Sequence, residues 1–124
     1  MIEKVYTNDA PEAIGPYSQA VKCGNLVFTS GQIAIDPKSG NVESDTIEGQ
    51  TEQICKNLVA VLGAAGTSMD KVIKTTCFLS DMADFSKFNE IYAKYFTSKP
   101  ARSCIAAKQL PKNVLAEIEV VAEL

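Results

Sequence analysis

An arginine, a thiol and two carboxylates stand near the C-terminal end of the chain. Arg102 and Cys104 lie in one extended stretch, and Glu117 and Glu119 lie in the next. Because side chains alternate across a β-strand, each pair is predicted to share one face of its strand. If these two strands pair with each other, a fixed cation and a carboxylate face one cavity. That arrangement suits a small anionic substrate and a water molecule.

Each of these side chains also has a structural interpretation. Arg102 either holds a carboxylate by two parallel hydrogen bonds or forms an ordinary surface or interface ion pair. Glu117 either accepts a proton from water as a partly buried carboxylate of raised pKa, or lies with Glu119 on an exposed strand face. Cys104 is predicted to line the site rather than to act as a nucleophile, because the chain offers no histidine as a base.

Four other residues have types that suit a pocket. Tyr17 either closes a pocket with its ring and hydroxyl or packs at a sheet edge. Ser30 and Gly31 could bring backbone amides close to a ligand, since glycine permits close approach. Asn89 is most simply a polar residue on the solvent face of a helix.

Composition excludes several kinds of chemistry. The 124 residues include 12 Lys plus Arg, 15 Asp plus Glu and no histidine, which gives a net charge of −3. Without histidine, Ser-His-Asp and Cys-His catalysis and histidine-ligated metals are excluded. No glycine-rich phosphate loop is present, so a cofactor-free protein without a metal is predicted. The acidic balance and scattered lysines argue against nucleic acid as a partner.

The four cysteines are dispersed and none forms a C-x-x-C pair. Cys23, Cys55 and Cys77 are predicted to be buried free thiols of a reducing cytosol. The N-terminus has no signal-like pattern, and no apolar run approaches the length that spans a bilayer. A cytoplasmic protein that does not enter the membrane is therefore expected.

The order of predicted elements is β-β-β-α-β-α-β-β within a single domain, residues 1–124. A stripe of apolar residues at three- and four-residue steps predicts the first helix, with Asp45 and Glu48 as a capping box and Gly66 as its end. The second helix is expected over residues 82–97, with Asp81 as its cap. The predicted strands cover residues 1–6, 17–23, 26–30 with an extension over 31–35, 72–79, 103–108 and 114–122.

Two long helices beside one sheet give an α+β sandwich of two layers. The helices then cover one sheet face and leave the other open. Because the strands are apolar on both faces, self-association into a closed ring is a reasonable expectation.

Five segments together resemble the reactive intermediate deaminase A family, also called the YjgF family. They are residues 14–20, 28–32, 89–92, 100–104 and 117–119, and they match in order along essentially the whole chain. The resemblance implies a chorismate-mutase-like fold assembled as a homotrimer, with three sites in clefts between subunits. It also implies hydrolysis of 2-imino acids such as 2-iminopropanoate and 2-iminobutanoate to 2-oxo acids and ammonia, which protects pyridoxal-phosphate enzymes from damage.

The same resemblance implies roles for particular residues. The family's essential arginine falls on Arg102, its water-positioning glutamate on Glu117 and its pocket tyrosine on Tyr17. Further pocket positions of the family fall on Ser30, Gly31, Asn89 and Cys104. Two other functions stay open, namely a non-enzymatic trimer that binds small carboxylates with a regulatory or chaperone role, and a ribonuclease or translation inhibitor.

Overall fold

The computed structural model describes residues 1–124, with one six-stranded sheet and two α-helices. Short 3₁₀ turns precede β4, α2 and β6. The strands are β1 (Ile2–Val5), β2 (Ala20–Cys23), β3 (Leu26–Thr29), β4 (Val72–Leu79), β5 (Ala101–Ala106) and β6 (Ala116–Glu123), and the helices are α1 (Ile47–Ala65) and α2 (Phe85–Tyr95).

The strand order across the sheet is β1-β2-β3-β6-β4-β5. Only β4 and β5 run parallel, and every other neighbouring pair is antiparallel. The two helices pack on each other and on one face of the sheet. The predicted two-layer α+β sandwich with the order β-β-β-α-β-α-β-β is thereby confirmed.

Strand β5 does not pair with β6, so the pairing considered from the sequence for these two strands is not formed. β4 lies between them and bonds to both. The chain leaves β4 through α2 and returns as β5, which is the parallel crossover that places a strand beside its predecessor. β6 then fills the gap between β3 and β4, where both neighbours are antiparallel to it.

The core lies between the sheet and the two helices. Alternate residues of β6 are buried toward the helices, and the residues between them face the open side of the sheet. Removing such apolar side chains from water contributes about 1.5–3 kcal/mol each. The largest fully buried apolar side chains are Val27, Ile54, Leu58, Val61, Leu62, Leu79, Phe88 and Ile118.

Helix α1 ends as predicted but begins with a different cap. Gly66 terminates it in the left-handed conformation, with φ of 92°. At the other end the cap is Thr46, whose hydroxyl accepts a hydrogen bond from the Gly49 amide, so the predicted capping box at Asp45 is wrong. At the start of the second helix, Asp81 caps the 3₁₀ turn that leads into α2.

The early strands are shorter than predicted. Tyr17 belongs to a turn, because its amide donates to the Gly15 carbonyl, and β2 begins only at Ala20. Residues 31–35 do not continue β3 as a strand. Instead Gln32 forms an isolated antiparallel bridge with Ile118 of β6.

All four cysteines are free. Cys55 and Cys77 are buried as predicted, whereas Cys23 is exposed. It occupies the last position of β2, beside the hairpin turn that contains Gly24. Neither of the two α-helices is long and apolar enough to cross a membrane.

Candidate functional site

Strand β5 directs Arg102 toward helix α2. The Arg102 Nη1 atom donates a hydrogen bond of 2.7 Å to Asn89 Oδ1. The guanidinium carbon lies 4.8 Å from the ring centroid of Tyr92 and 5.3 Å from that of Phe85. The only salt bridge in the chain joins Lys22 and Glu3, so the guanidinium charge has no carboxylate partner here. Arg102 is therefore held by aromatic rings and an amide, with its charge uncompensated.

The aromatic support of Arg102 is itself fixed by neighbours. The Tyr92 hydroxyl lies 2.7 Å from Thr75 Oγ1, and the Tyr92 ring stacks on Phe96 with centroids 4.2 Å apart. Burial raises the pKa of Tyr92, so its hydroxyl keeps its proton at neutral pH. Asn89, expected on the solvent face, is half-buried and accepts the bond from Arg102.

A cavity of about 490 Å³ opens beside Arg102. Two of its lining residues, Lys99 and Arg102, are cationic, and none is acidic. Such a cavity attracts anions, and a planar guanidinium matches a carboxylate with two parallel bonds. The other lining residues are Asn89, Tyr92, Ala93, Phe96, Thr97 and Pro100.

Cys104 shares the face of Arg102, as the alternation of the strand predicted. It is half-buried and packs against the core. Burial raises the pKa of the Cys104 thiol, and the nearby Arg102 charge only partly opposes that effect. A protonated thiol is a poor nucleophile, which agrees with the lining role expected for Cys104.

Glu117 is packed against the backbone of Gly31. A Cβ atom added at Gly31 would overlap Glu117 Oε2 and would lie 2.8 Å from Cδ. Paired backbone hydrogen bonds of 2.8 and 3.1 Å between Gln32 and Ile118 hold the two segments at this separation. Burial, and secondly the charge of Glu119, raise the pKa of the Glu117 carboxyl above its ordinary value of 4.5. A carboxyl of this kind is suited to exchange protons with water.

Glu117 and Gly31 line a second cavity of about 600 Å³. Tyr17 stands at this cavity with 55% of its surface exposed. Ser30 lines it too, with its amide bonded to the Gln19 carbonyl and its hydroxyl to the Ser18 carbonyl. The Gly31 amide makes no hydrogen bond within the chain. The remaining lining residues are Pro11, Glu12, Ala13, Ile14, Gln19, Gln32, Ile33, Ile35, Pro111 and Lys112.

The two cavities lie on opposite faces of the sheet. Arg102 is in register with Thr75, which is buried beneath the helices, whereas Glu117 is in register with Phe78, which faces the open side. Arg102 and Glu117 therefore do not face one cavity of a single chain, because the strand pairing on which that arrangement depended is absent. The structure instead brings Arg102 together with Asn89 and Cys104 on one face, and Glu117 together with Tyr17, Ser30 and Gly31 on the other.

Sequence reasoning missed the aromatic support of Arg102. Phe85 and Tyr92 lie in the segment predicted as the second helix, and a helix prediction gives no sign that their rings contact a cation. The sequence offers one indication that Arg102 is special, namely that it is the only arginine in the chain.

No three Cys, Asp or Glu side chains lie close enough together to hold a metal ion.

Residues 7–124 match the model of a protein family described as Endoribonuclease L-PSP. A RutC family protein of Pyrococcus horikoshii is 53% identical to this chain over 98% of both proteins. Reactive Intermediate Deaminase A, chloroplastic, of Arabidopsis thaliana is 50% identical over 98% of this chain and 66% of its own length. The crystal structure of E. coli TdcF with bound serine has a TM-score of 0.93, at 40% identity and 98% coverage of both chains.

Proposed function

The chain belongs to the Endoribonuclease L-PSP family, to which the YjgF and reactive intermediate deaminase proteins belong, and we propose that it hydrolyses small 2-imino acids to 2-oxo acids and ammonia. One observation carries the proposal. Arg102 keeps an uncompensated charge beside a cavity without acids, while Glu117, with its raised pKa, lines another cavity. Arg102 and its cavity suit the substrate carboxylate, and Glu117 suits the attacking water.

The opposite placement of these residues supports assembly from several copies of the chain. A site that uses both Arg102 and Glu117 is incomplete within one copy, so a neighbouring copy must supply the other half. β5 is an edge strand with unpaired backbone groups, and Phe28 leaves apolar surface exposed on the open sheet face. We propose a closed homotrimer, in which three equivalent clefts each combine the Arg102 side of one copy with the Glu117 side of the next.

In this proposal the reaction is an addition of water followed by elimination of ammonia. Arg102 binds the carboxylate and places the imine carbon beside a water held by Glu117. The water oxygen bonds to that carbon, the C=N double bond becomes a single bond, and Glu117 takes the proton from the water. Glu117 then returns that proton to the nitrogen, which gives a tetrahedral intermediate with one hydroxyl and one amino group. In the second step Glu117 takes the hydroxyl proton and passes it to the nitrogen as the C–N bond breaks, so that ammonia leaves and the oxygen becomes the carbonyl of the 2-oxo acid. No oxidant, metal or cofactor is required for this balance.

The other residues of the two cavities orient the reactants. The unbonded Gly31 amide can donate to the substrate or to the water, and Ser30 fixes the segment that carries it. Tyr17 covers the cleft and limits the entry of bulk solvent. Cys104 lines the Arg102 side through its backbone groups, and Asn89 holds the guanidinium.

A coupled assay tests the proposal. A threonine or serine dehydratase generates the imino acid, and the appearance of the 2-oxo acid is followed with and without this protein. Acceleration that is lost in both Arg102→Ala and Glu117→Ala supports imine hydrolysis. A wild-type protein that accelerates nothing across several amino-acid precursors, or an Arg102→Ala variant of full activity, contradicts it.

A carboxylate-binding protein without catalysis is the second candidate. The relative E. coli TdcF holds serine in its crystal structure, and the acid-free cavity at Arg102 suits such a ligand. This function requires Arg102 but not Glu117. A Glu117→Ala variant that loses hydrolysis and keeps carboxylate affinity identifies the enzyme, whereas a wild type that only binds identifies the carrier or sensor.

Ribonuclease activity is proposed less readily, although the family description names it. The net charge of −3 disfavours binding of a polyanion such as RNA, and tight salt-sensitive RNA binding would be needed to support that activity.

For the cellular role we propose a cytosolic protein that removes imino acids before they damage pyridoxal-phosphate enzymes. The four free cysteines are in keeping with a reducing compartment.

A further inference from the structure

We propose that Tyr92 is a positioning residue for Arg102, and that its bond to Thr75 fixes the ring on which the guanidinium rests. The inference rests on the proposed function in one respect, namely that Arg102 binds the substrate carboxylate. Its physical basis, the order of the Arg102 side chain, does not depend on which reaction the protein performs.

The contacts around Tyr92 are what a rigid support requires. Its ring centroid lies 4.8 Å from the Arg102 guanidinium carbon, within the range of a cation–π contact. The Tyr92 ring also stacks on Phe96, whose ring centroid is 4.2 Å away with the two planes 26° apart. The hydroxyl is fixed at 2.7 Å from Thr75 Oγ1, inside the buried layer. Both the tilt and the depth of the ring are therefore set by neighbours.

This support suits a substrate-binding cation better than an acid would. A carboxylate partner would fix Arg102 but would also compensate the charge that the substrate needs. An aromatic ring and the Asn89 amide hold the guanidinium without cancelling its charge. An arginine side chain that is already ordered loses less conformational entropy when it binds a ligand. We therefore expect Tyr92 to lower the KM of a carboxylate substrate by keeping Arg102 ordered.

Three variants separate the ring from its hydroxyl bond. Tyr92→Leu removes the ring, Tyr92→Phe keeps the ring and removes the hydroxyl, and Thr75→Val removes the partner of the hydroxyl. Tyr95→Phe is the matched control, because the hydroxyl of this tyrosine of the same helix also forms a short hydrogen bond, 2.6 Å to Glu52 Oε1. Tyr95 makes no aromatic contact with Arg102, so its loss should leave the guanidinium as it is.

The first readout uses the fact that Arg102 is the only arginine. In protein labelled with ¹⁵N-arginine, one Nε–H signal reports this side chain without any assignment and without ligand. We expect a signal shifted by the ring currents and slow to exchange in the wild type and in Tyr95→Phe. Tyr92→Leu should move the signal toward the position of free arginine and make the Nε–H proton exchange roughly tenfold faster. Tyr92→Phe and Thr75→Val should each raise this exchange rate by about threefold.

The second readout is kinetic. Tyr92→Leu should raise KM for the imino acid by about tenfold and change kcat by less than about twofold, since a clamp acts on bound substrate and transition state alike. If the Nε–H exchange rate of Arg102 in all three variants is within about twofold of the rate in the Tyr95→Phe control, the inference is overturned. If Tyr92→Leu does not fold, Tyr92→Phe and Thr75→Val still decide. Because the nuclear-magnetic-resonance readout needs no turnover, a failure of the proposed hydrolysis is distinguishable from a failure of this inference.

Discussion

Arg102 and Glu117 lie on opposite faces of one sheet, on strands that β4 separates. Arg102 faces the helices, where aromatic rings and Asn89 hold it, and Glu117 faces the open side, where it contacts Gly31. A reaction that needs both groups at one substrate molecule cannot therefore be completed by one copy of the chain. This relationship makes oligomeric assembly part of the proposed chemistry.

Mixed assemblies of two inactive variants should recover activity. When Arg102→Ala and Glu117→Ala chains are co-expressed with different tags and the trimers that carry both tags are purified, one of the three clefts in each trimer has both native residues, which is about a third of the sites. We expect the purified mixed protein to show roughly that fraction of wild-type turnover in the coupled assay. Each variant alone should be inactive.

The control for this experiment is a mixture prepared after separate purification, in which no exchange of subunits has taken place. It should remain inactive. A co-expressed mixture that is equally inactive would mean that each site takes both residues from one copy, which would contradict the shared cleft.

The rate of hydrolysis should fall in acid with a midpoint above the ordinary carboxyl value of 4.5. Glu117 must be ionised to take a proton from water, and burial together with Glu119 raises its pKa. Glu119→Gln removes the second of these causes, so the acid limb of kcat/KM should move to lower pH while staying above 4.5. Glu123→Gln, farther along the same strand face, is the control and should leave the profile unchanged. An acid limb that moves to higher pH in Glu119→Gln would rule out Glu117 as the titrating group.

Gly31→Ala should abolish hydrolysis. The new Cβ would overlap Glu117 Oε2 and lie 2.8 Å from Cδ, so the carboxylate must move away from the cavity wall. Stability should change little, because the displaced atoms are the end of a flexible side chain. Gly63→Ala is the control, because nothing lies within 4 Å of its added Cβ; it should keep full activity and gain about 0.5–1 kcal/mol in helix α1. Full activity of Gly31→Ala would show that the Glu117 position is not critical.

The sequence predicted the layers and most elements because their signals are local. The apolar stripe of α1 and the β-branched stretch of β4 each specify one element without reference to any other. The pairing of β5 could not be obtained in this way, because it depends on the crossover through α2. Likewise, alternation placed Arg102 and Cys104 on a common face, but only the sheet order shows which face. The Gly31 contact with Glu117 joins segments 86 residues apart, and no local pattern encodes it.

The sequence pattern also did not identify the residue that caps helix α1, and the identity of this cap can be tested. Thr46 carries the capping hydroxyl although Asp45 lies next to it, so Thr46→Ala should lower the free energy of unfolding by about 1 kcal/mol. Thr46→Ser keeps the hydroxyl and should lose little. Asp45→Ala removes only a charge near the helix dipole and should cost no more than about 0.3–1 kcal/mol. Urea unfolding measures all three, and a larger loss in Asp45→Ala than in Thr46→Ala would restore the predicted cap.

Glu117→Gln should make the protein more stable at neutral pH while removing its activity. The pKa of this carboxyl is higher in the folded chain than the ordinary value of 4.5, so the folded state holds the proton more tightly than the unfolded state. Stability therefore declines as pH rises from the ordinary carboxyl pKa through the raised one, and at neutral pH the full penalty applies. Glutamine has nearly the same shape and carries no charge, so this penalty disappears. Urea unfolding at pH 7 measures the gain, with the exposed Glu123→Gln as a control expected within about 0.5 kcal/mol of the wild type. A Glu117→Gln protein that is less stable than the wild type at pH 7 would contradict this prediction. It would mean that the fold stabilises the ionised carboxylate of Glu117.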